Sequence, residues 1–153
     1  MSLKPSLNML LDFAQKESDV SAKKLGQLAS KQKVAAEKLH LLLEYRHSYQ
    51  SRFQDAAKNG IDQIEWLNFI AFMDKLEAAI TEQRNNVTTA QASREAGGKE
   101  FQTCQRKLKS YNTLSKRYLQ VETQQKMKHE QKEQDEFTSN IGSNQNSKYL
   151  RNT

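Results

Sequence analysis

The side chains best suited to chemistry in this sequence are three histidines, one cysteine and a short Gly-Gly-Lys-Glu segment. His40 and Glu44 are four residues apart, so a helix would place both on one face. A zinc site needs a third ligand on that face, and the sequence provides none there. The three histidines are scattered along the chain. These histidines are best interpreted as solvated helix residues.

The cysteine and the glycine pair are equally weak candidates. Gly97-Gly98-Lys99-Glu100 lacks the spacing of a phosphate-binding loop and follows no strand. Cys104 is the only cysteine, which excludes an internal disulfide or a cysteine metal cluster. It falls in an apolar repeat without a nearby base, as a small packing residue does. The sequence therefore predicts no catalytic residue, metal site or cofactor, and indicates that the protein is not an enzyme.

The composition indicates long helices and a small core. Among 153 residues there are 5 Gly and 1 Pro, and the apolar fraction is 36%, below the roughly 45–50% of an ordinary domain. The frequent Gln, Lys, Glu, Ala and Leu lose little side-chain freedom in a helix. No apolar run of about 20 residues and no signal peptide is present, so we expect a cytoplasmic protein.

One turn interrupts the helical pattern. Gly60 follows a long apolar repeat and suits the left-handed conformation that ends a helix. Asp62, with Glu65 three residues later, forms the capping box that begins the next helix. The sequence therefore predicts helix one over about 5–58, a turn at 59–61 and helix two over about 62–138. The polar residues 139–153 are predicted to be a disordered tail.

Heptad repeats predict how the two helices pair. Alternate steps of four and three residues from Leu7 to Ala56 meet eleven apolar or Tyr residues in fifteen, and the same steps from Trp66 to Tyr118 meet twelve in sixteen. A short turn makes such helices antiparallel, with paired residue numbers that sum to 122, so that Phe53 faces Phe69. The predicted fold class is all-α, an antiparallel coiled-coil hairpin. Such a hairpin offers no concave pocket for a small substrate.

Apolar side chains widen the seam near the turn. In the predicted register Tyr45, Phe72 and Ala79 lie on one flank, while Leu43 and Ile70 lie on the other. Extra aromatic and aliphatic surface of this kind suggests docking to another protein. Simple thickening of the seam is the competing interpretation.

A basic stretch follows in helix two. Between Lys99 and Lys132 the acidic residues are Glu100, Glu122 and Glu130. Its basic residues are Lys99, Arg106, Lys107, Lys109, Lys116, Arg117, Lys126, Lys128 and Lys132. This stretch suits an acidic protein surface or nucleic-acid phosphate, although the lack of a known nucleic-acid reading motif makes nucleic acid the weaker choice. A solvated helix face is the plainest explanation.

Several groups of residues, most of them around the turn, carry a resemblance to a known family. They are Leu42-Leu43-Glu44-Tyr45 with Tyr49, Asn59-Gly60-Ile61, Trp66-Leu67-Asn68-Phe69, Phe72, Leu76-Glu77, Ala79-Ile80 and Gln134-Asp135-Glu136-Phe137. On these residues the chain resembles the flagellar export protein FliJ, part of the bacterial type III export apparatus. The resemblance extends over about residues 5 to 138.

The resemblance implies partners and sites. It implies a coiled coil similar to the central stalk of rotary ATPases, which binds the hexameric export ATPase FliI, the gate protein FlhA and export chaperones at the inner membrane. The implied gate-binding residues are Tyr45, Tyr49, Phe72, Leu76 and Ala79. The implied ring-binding residues are Leu11, Leu25, Arg106, Lys107, Leu108, Lys109, Tyr111, Lys116 and Arg117.

Two alternatives remain open. A stalk protein of a virulence type III secretion system would share the same architecture, and deletion phenotypes (swimming or effector secretion) would distinguish it. A basic helical arm that binds RNA would show an affinity that falls steeply with salt and ignores the aromatic residues near the turn.

Overall fold

A computed structural model describes residues 4–151 as two long α-helices joined by a short turn. Helix α1 spans Lys4–Ala57 and helix α2 spans Gln63–Arg151, and no strand occurs between residues 4 and 151. Pro5 lies in the first turn of α1, where its missing N–H is not needed. The predicted all-α fold class is confirmed, and the predicted bounds around the turn lie within one residue of those observed.

The turn between the helices depends on a glycine. Gly60 has a φ of 87°, the left-handed conformation that the sequence predicts for it. Its N–H donates to the backbone oxygen of Ala57 at 3.1 Å, which ends α1. The Trp66 N–H donates to the backbone oxygen of Asp62 at 3.1 Å, so Asp62 takes the cap position of α2.

Contacts divide the chain into two units, one of residues 15–106 and one of the residues up to 14 together with those from 107 onward. In the 15–106 unit, residues that come earlier in α1 contact residues that come later in α2, so the two helices are antiparallel there. The contacts are Phe53 with Phe69 (ring centroids 3.6 Å apart), Gln83 Nε2 with Ala35 O (2.9 Å), and Lys24 Nζ with Glu100 Oε2 (3.2 Å). The stacked phenylalanines are the pair that the sequence register predicts.

The enclosed core of the 15–106 unit is small. Leu76 and Ile80 are 6% and 1% exposed, and the other buried side chains in this unit include two serines. The Ser18 hydroxyl accepts a hydrogen bond from Gln105 Nε2 at 2.7 Å, whereas the buried Ser21 hydroxyl has no partner among the described residues. A narrow seam with polar positions follows from the low apolar content of the sequence.

Gly97 allows the two helices to approach closely. A Cβ atom placed on it would lie 2.6 Å from Leu28 Cδ1 and 3.7 Å from Leu25 Cδ1, whereas one on Gly98 would meet nothing within 4 Å. Helix α2 continues unbroken through both glycines. The pairing of Leu25 with Gly97 agrees with the predicted register, and the glycine pair therefore includes a packing position.

In the other unit, which contains α2 from residue 107 onward, the packed part of α2 ends at Tyr118. Ala14 is 1% exposed, and Leu11, Leu108 and Tyr111 are half-buried. From residue 119 to 151 every side chain is exposed. The predicted helix end at about 138 is wrong, because α2 continues to Arg151. Residues 139–151 contain no proline, and a helix satisfies its interior backbone groups internally, so polarity alone does not end it. Residues 152 and 153 of the predicted tail lie outside the described residues.

Candidate partner-binding surfaces

Six aromatic rings pack into a continuous group beside the turn, called here the aromatic ladder. Its members are Tyr45, Tyr49, Phe53, Trp66, Phe69 and Phe72. Ring centroids of Phe53 and Phe69 are 3.6 Å apart, those of Tyr49 and Phe72 are 4.3 Å apart, and Trp66 lies 5.6 Å from Phe53. Ring pairs at such distances stabilise each other beyond the area that they bury, so the ladder holds its side chains in fixed positions.

The exposed edge of the ladder is formed by Tyr45. Its ring lies 6.0 Å from Phe72 in an edge-on arrangement and 6.4 Å from Tyr49, yet the residue remains 54% exposed. This contact confirms that Tyr45 and Phe72 share a flank. Ala79 is half-buried, while Leu76 is buried in the seam and has almost no surface of its own. The predicted gate-binding set therefore contains both surface and supporting residues.

An ion pair lies close to the ladder. Arg46 Nη1 donates to both carboxylate oxygens of Glu77, at 3.0 and 3.2 Å, and the Arg46 side chain is 28% exposed. A long side chain on the seam thus covers apolar surface with its stem and places its charge at the edge. Its partner carboxylate is half-exposed, so water screens much of the attraction.

A second apolar surface lies at the start of α2, and the sequence pattern did not identify its residues as one surface. The residues Ile64, Leu67 and Ile70 are 66%, 58% and 39% exposed, and Trp66 between them is 48% exposed. We call these four residues the turn-proximal patch. Ile64 and Leu67 occupy outward heptad positions, where a two-stranded coiled coil normally has polar residues. Apolar residues at outward positions were the sequence signal that could have revealed the patch.

The predicted ring-binding residues fall in both units. Leu25 and Arg106 belong to the 15–106 unit, Leu25 half-buried and Arg106 exposed. The remaining residues belong to the other unit. There Leu11, Leu108 and Tyr111 are half-buried, and Lys107, Lys109, Lys116 and Arg117 are exposed. This second group combines apolar seam residues with exposed cations in one unit.

Additional apolar side chains are exposed in the same unit. Leu10, Phe13 and Leu114 are 45%, 57% and 50% exposed, and the sequence register assigned them no role. The unit thus exposes apolar side chains as well as cations, in addition to the half-buried Leu11, Leu108 and Tyr111 of the predicted set. Such a mixture of exposed cations and apolar side chains is typical of protein-binding surfaces.

The histidines, the cysteine and the carboxylates of residues 4–151 form no metal site. No group of three His, Cys, Asp or Glu residues in this range could hold a metal ion. His40 Nε2 lies 2.9 Å from Glu44 Oε1 and His129 Nε2 lies 3.1 Å from Glu133 Oε1, and all four side chains are largely exposed. Cys104 is half-buried. These contacts are ordinary pairs one helical turn apart.

One concave surface bears on the expectation that the hairpin offers no pocket for a small substrate. An open groove of about 720 Å³ lies between α1 and α2 in the 15–106 unit, because small side chains there leave space beside the seam. It is lined by Ala22, Leu25, Gly26, Ala29, Gln32, Gln91, Arg94, Glu95, Gly98 and Phe101. Arg94 Nη1 donates to Gln32 Oε1 at 2.7 Å across it. The groove is open to solvent, unlike the enclosing pockets that bury small ligands.

The fold and these surfaces define an α-helical coiled-coil hairpin whose recognisable features are surfaces for other proteins. Residues 3–147 match the family model described as Flagellar FliJ protein. The chain is 30% identical over 132 residues to a Flagellar FliJ protein of Salmonella typhi, an alignment that covers 86% of this chain and 90% of the relative. It is 26% identical over the same length and coverage to the Flagellar FliJ protein of Escherichia coli strain K12. The chain therefore belongs to the FliJ family and is a component of the flagellar export apparatus.

Both helices, as far as the structure describes them, are also too polar for a membrane span. Neither contains, within residues 4–151, a stretch long and apolar enough to cross a bilayer.

Proposed function

We propose that this chain is a non-enzymatic coupling protein of flagellar export, which binds the ring of the export ATPase FliI and links it to the export gate protein FlhA and to export chaperones. Family membership supports the export role. The two separate surfaces described above support a protein with two kinds of partner. Through the gate the chain associates peripherally with the inner membrane at the flagellar base.

The aromatic ladder is the observation that carries the gate-binding half of this proposal. Tyr45 is 54% exposed while its ring packs edge-on against Phe72. A ring that is already held in place loses little conformational entropy when a partner covers it. Tyrosine also provides an apolar face with a hydroxyl at its tip, a combination that is enriched at interfaces. Tyr49 and Leu76 support this surface from beneath, and Ala79 leaves space beside it.

The gate-binding proposal is tested with a double variant. Tyr45→Ala with Phe72→Ala removes the exposed ring and its support, and we expect the affinity for FlhA to fall by about tenfold or more. The measurement is titration calorimetry, with circular dichroism at 222 nm to confirm helicity. Val20→Ala, at a residue that is 69% exposed in the same unit, is the matched control. An unchanged FlhA affinity in the double variant would remove the ladder from the gate-binding site.

The ring-binding half rests on the basic surface of the other unit. Lys107, Lys109, Lys116 and Arg117 are exposed there beside half-buried Leu108 and Tyr111. Charged contacts form and break readily in water. Such contacts suit a ring whose subunits change shape around the bound chain. Leu11 belongs to the apolar part of this surface. Leu25 and Arg106, which belong to the 15–106 unit, are proposed as ring-binding residues of that unit.

Charge reversal tests the ring contact. We expect the unaltered chain to raise FliI ATPase activity, and we expect Lys109→Glu with Lys116→Glu and Arg117→Glu to abolish that increase. Lys126→Glu with Lys128→Glu, further along the exposed part of α2, is the control and should leave the increase intact. A wild-type chain that neither raises FliI activity nor promotes ring formation contradicts the ring-binding role.

A further inference from the structure

The turn-proximal patch has no role in the function proposed above. Ile64 and Leu67 are 66% and 58% exposed, and both stand at outward heptad positions of α2. They therefore lie off the flank on which Tyr45 contacts Phe72. With Ala71 they follow the i, i+3, i+7 spacing of one helical face. Nothing in the 15–106 unit covers this face.

The part of α2 that carries the patch is acidic, and Lys58, the cation that precedes the turn, lies 3.8 Å from the Asp55 carboxylate. Between Asp62 and Glu82 α2 and its cap carry five carboxylates against the single cation Lys75. Glu77 is neutralised by Arg46. Asp74, on the same outward face as Leu67, has no ion-pair partner among the described residues. An apolar strip bordered by uncompensated carboxylates attracts a partner with the opposite charge.

We propose that the turn-proximal patch binds a basic amphipathic helix of a partner protein. Its apolar face would cover Ile64, Leu67 and Ile70. The axes of the two helices would then lie about 8–10 Å apart, as in other helix pairs. Its Lys or Arg residues would lie beside Asp74. This surface includes none of the five proposed gate-binding residues and shares only Trp66 with the aromatic ladder, so it permits a third partner to bind while the gate-binding residues are occupied. The proposal stands independently of the gate and ring assignments.

The single tryptophan provides a direct reporter. Trp66 is 48% exposed and lies one helical turn from Ile70. A helix that covers the patch removes water from the indole and shifts its emission to shorter wavelength. The probe is a synthetic Leu/Lys amphipathic helix of about 18 residues, five helical turns. A Leu/Glu peptide with the same apolar pattern is the charge control.

The full chain is titrated with both peptides. We expect saturable binding of the Leu/Lys peptide with a blue shift of Trp66 emission, and no binding of the Leu/Glu peptide. Ile64→Ser with Leu67→Ser should weaken the Leu/Lys affinity about tenfold or more, and Asp74→Asn about threefold with a weaker dependence on salt. Val20→Ser with Val34→Ser, exposed apolar residues elsewhere in the unit, should leave the affinity unchanged.

Three results would overturn the proposal. Equal binding of the two peptides shows an apolar surface without charge selection. Equal losses in the patch and control variants show unspecific attachment. Concentration-dependent self-association that disappears in the Ile64→Ser, Leu67→Ser variant, measured by analytical ultracentrifugation, identifies the occupant as a second copy of the chain. Because all substituted apolar residues are exposed, circular dichroism should show unchanged helicity in every variant.

Discussion

Residues 41–80 and residues 119–151 are both almost entirely helical, yet only the first region is held by packing. Around the turn, aromatic rings interlock and Ile80 is 1% exposed. From residue 119 to 151 no side chain is buried. Helix propensity extends a helix, but contact with a second element provides most of its stability. The packed region therefore presents a preformed surface, whereas the exposed region is stabilised only where a partner covers it.

The largest difference between the regions should appear when an isoleucine is truncated in each. Ile80→Ala removes an enclosed side chain, and we expect the free energy of unfolding to fall by about 2–5 kcal/mol. Ile141→Ala, at a residue that is 42% exposed, is the matched control and should change it by less than about 0.5 kcal/mol. Urea unfolding followed at 222 nm measures both. Equal losses would show that residues 119–151 are packed in solution.

A smaller contrast is expected between the adjacent glycines of α2, which lie between these two regions in the sequence. Gly98→Ala meets no neighbour and should raise the free energy of unfolding by about 0.8–1 kcal/mol through helix propensity. Gly97→Ala gains the same propensity but must displace Leu28 Cδ1, which lies 2.6 Å from the new Cβ. Gly97→Ala should therefore stabilise less or destabilise. Urea midpoints measure the pair, and equal midpoints contradict the close approach of the helices at Gly97.

The smallest effect should follow removal of residues 139–153. These residues make no buried contact in the described range, so their deletion should change the free energy of unfolding by less than about 0.5 kcal/mol. Hydrogen exchange on the full chain should show rapid exchange of amides 139–151 and slow exchange around Ile80. Slow exchange in 139–151 of the isolated protein would mean that this part of α2 is stabilised by a contact not seen here.

The packed region was largely predictable because its residues obey two simple physical rules. Gly60 ends α1 in the left-handed conformation because only glycine adopts it without strain, and that property is readable from the sequence. Phe53 stacks on Phe69 because heptad spacing and a short turn leave one register in which the apolar positions meet. Tyr45 meets Phe72 for the same reason.

The missed features depend on what periodicity does not encode. The heptad pattern places Leu76 in the seam, where it is 6% exposed, and Leu76 joined the gate-binding set through the family resemblance and not through its periodicity. Ile64 and Leu67 were overlooked because attention to the seam ignores outward positions. The groove near Gly26 depends on the combined small size of several side chains, which spacing alone does not reveal. Which partner contacts each surface stays a prediction.

A distance between Lys24 and Glu100 tests the antiparallel pairing most directly. Both side chains are half-exposed, and their charged atoms are 3.2 Å apart in the 15–106 unit although 76 residues separate them in sequence. Spin labels on Lys24→Cys and Glu100→Cys, in a chain with Cys104→Ala, should give a distance below about 25 Å, because packed helices lie about 8–10 Å apart. An intramolecular distance on the order of 100 Å, as a continuous helix of that length requires, would contradict the hairpin.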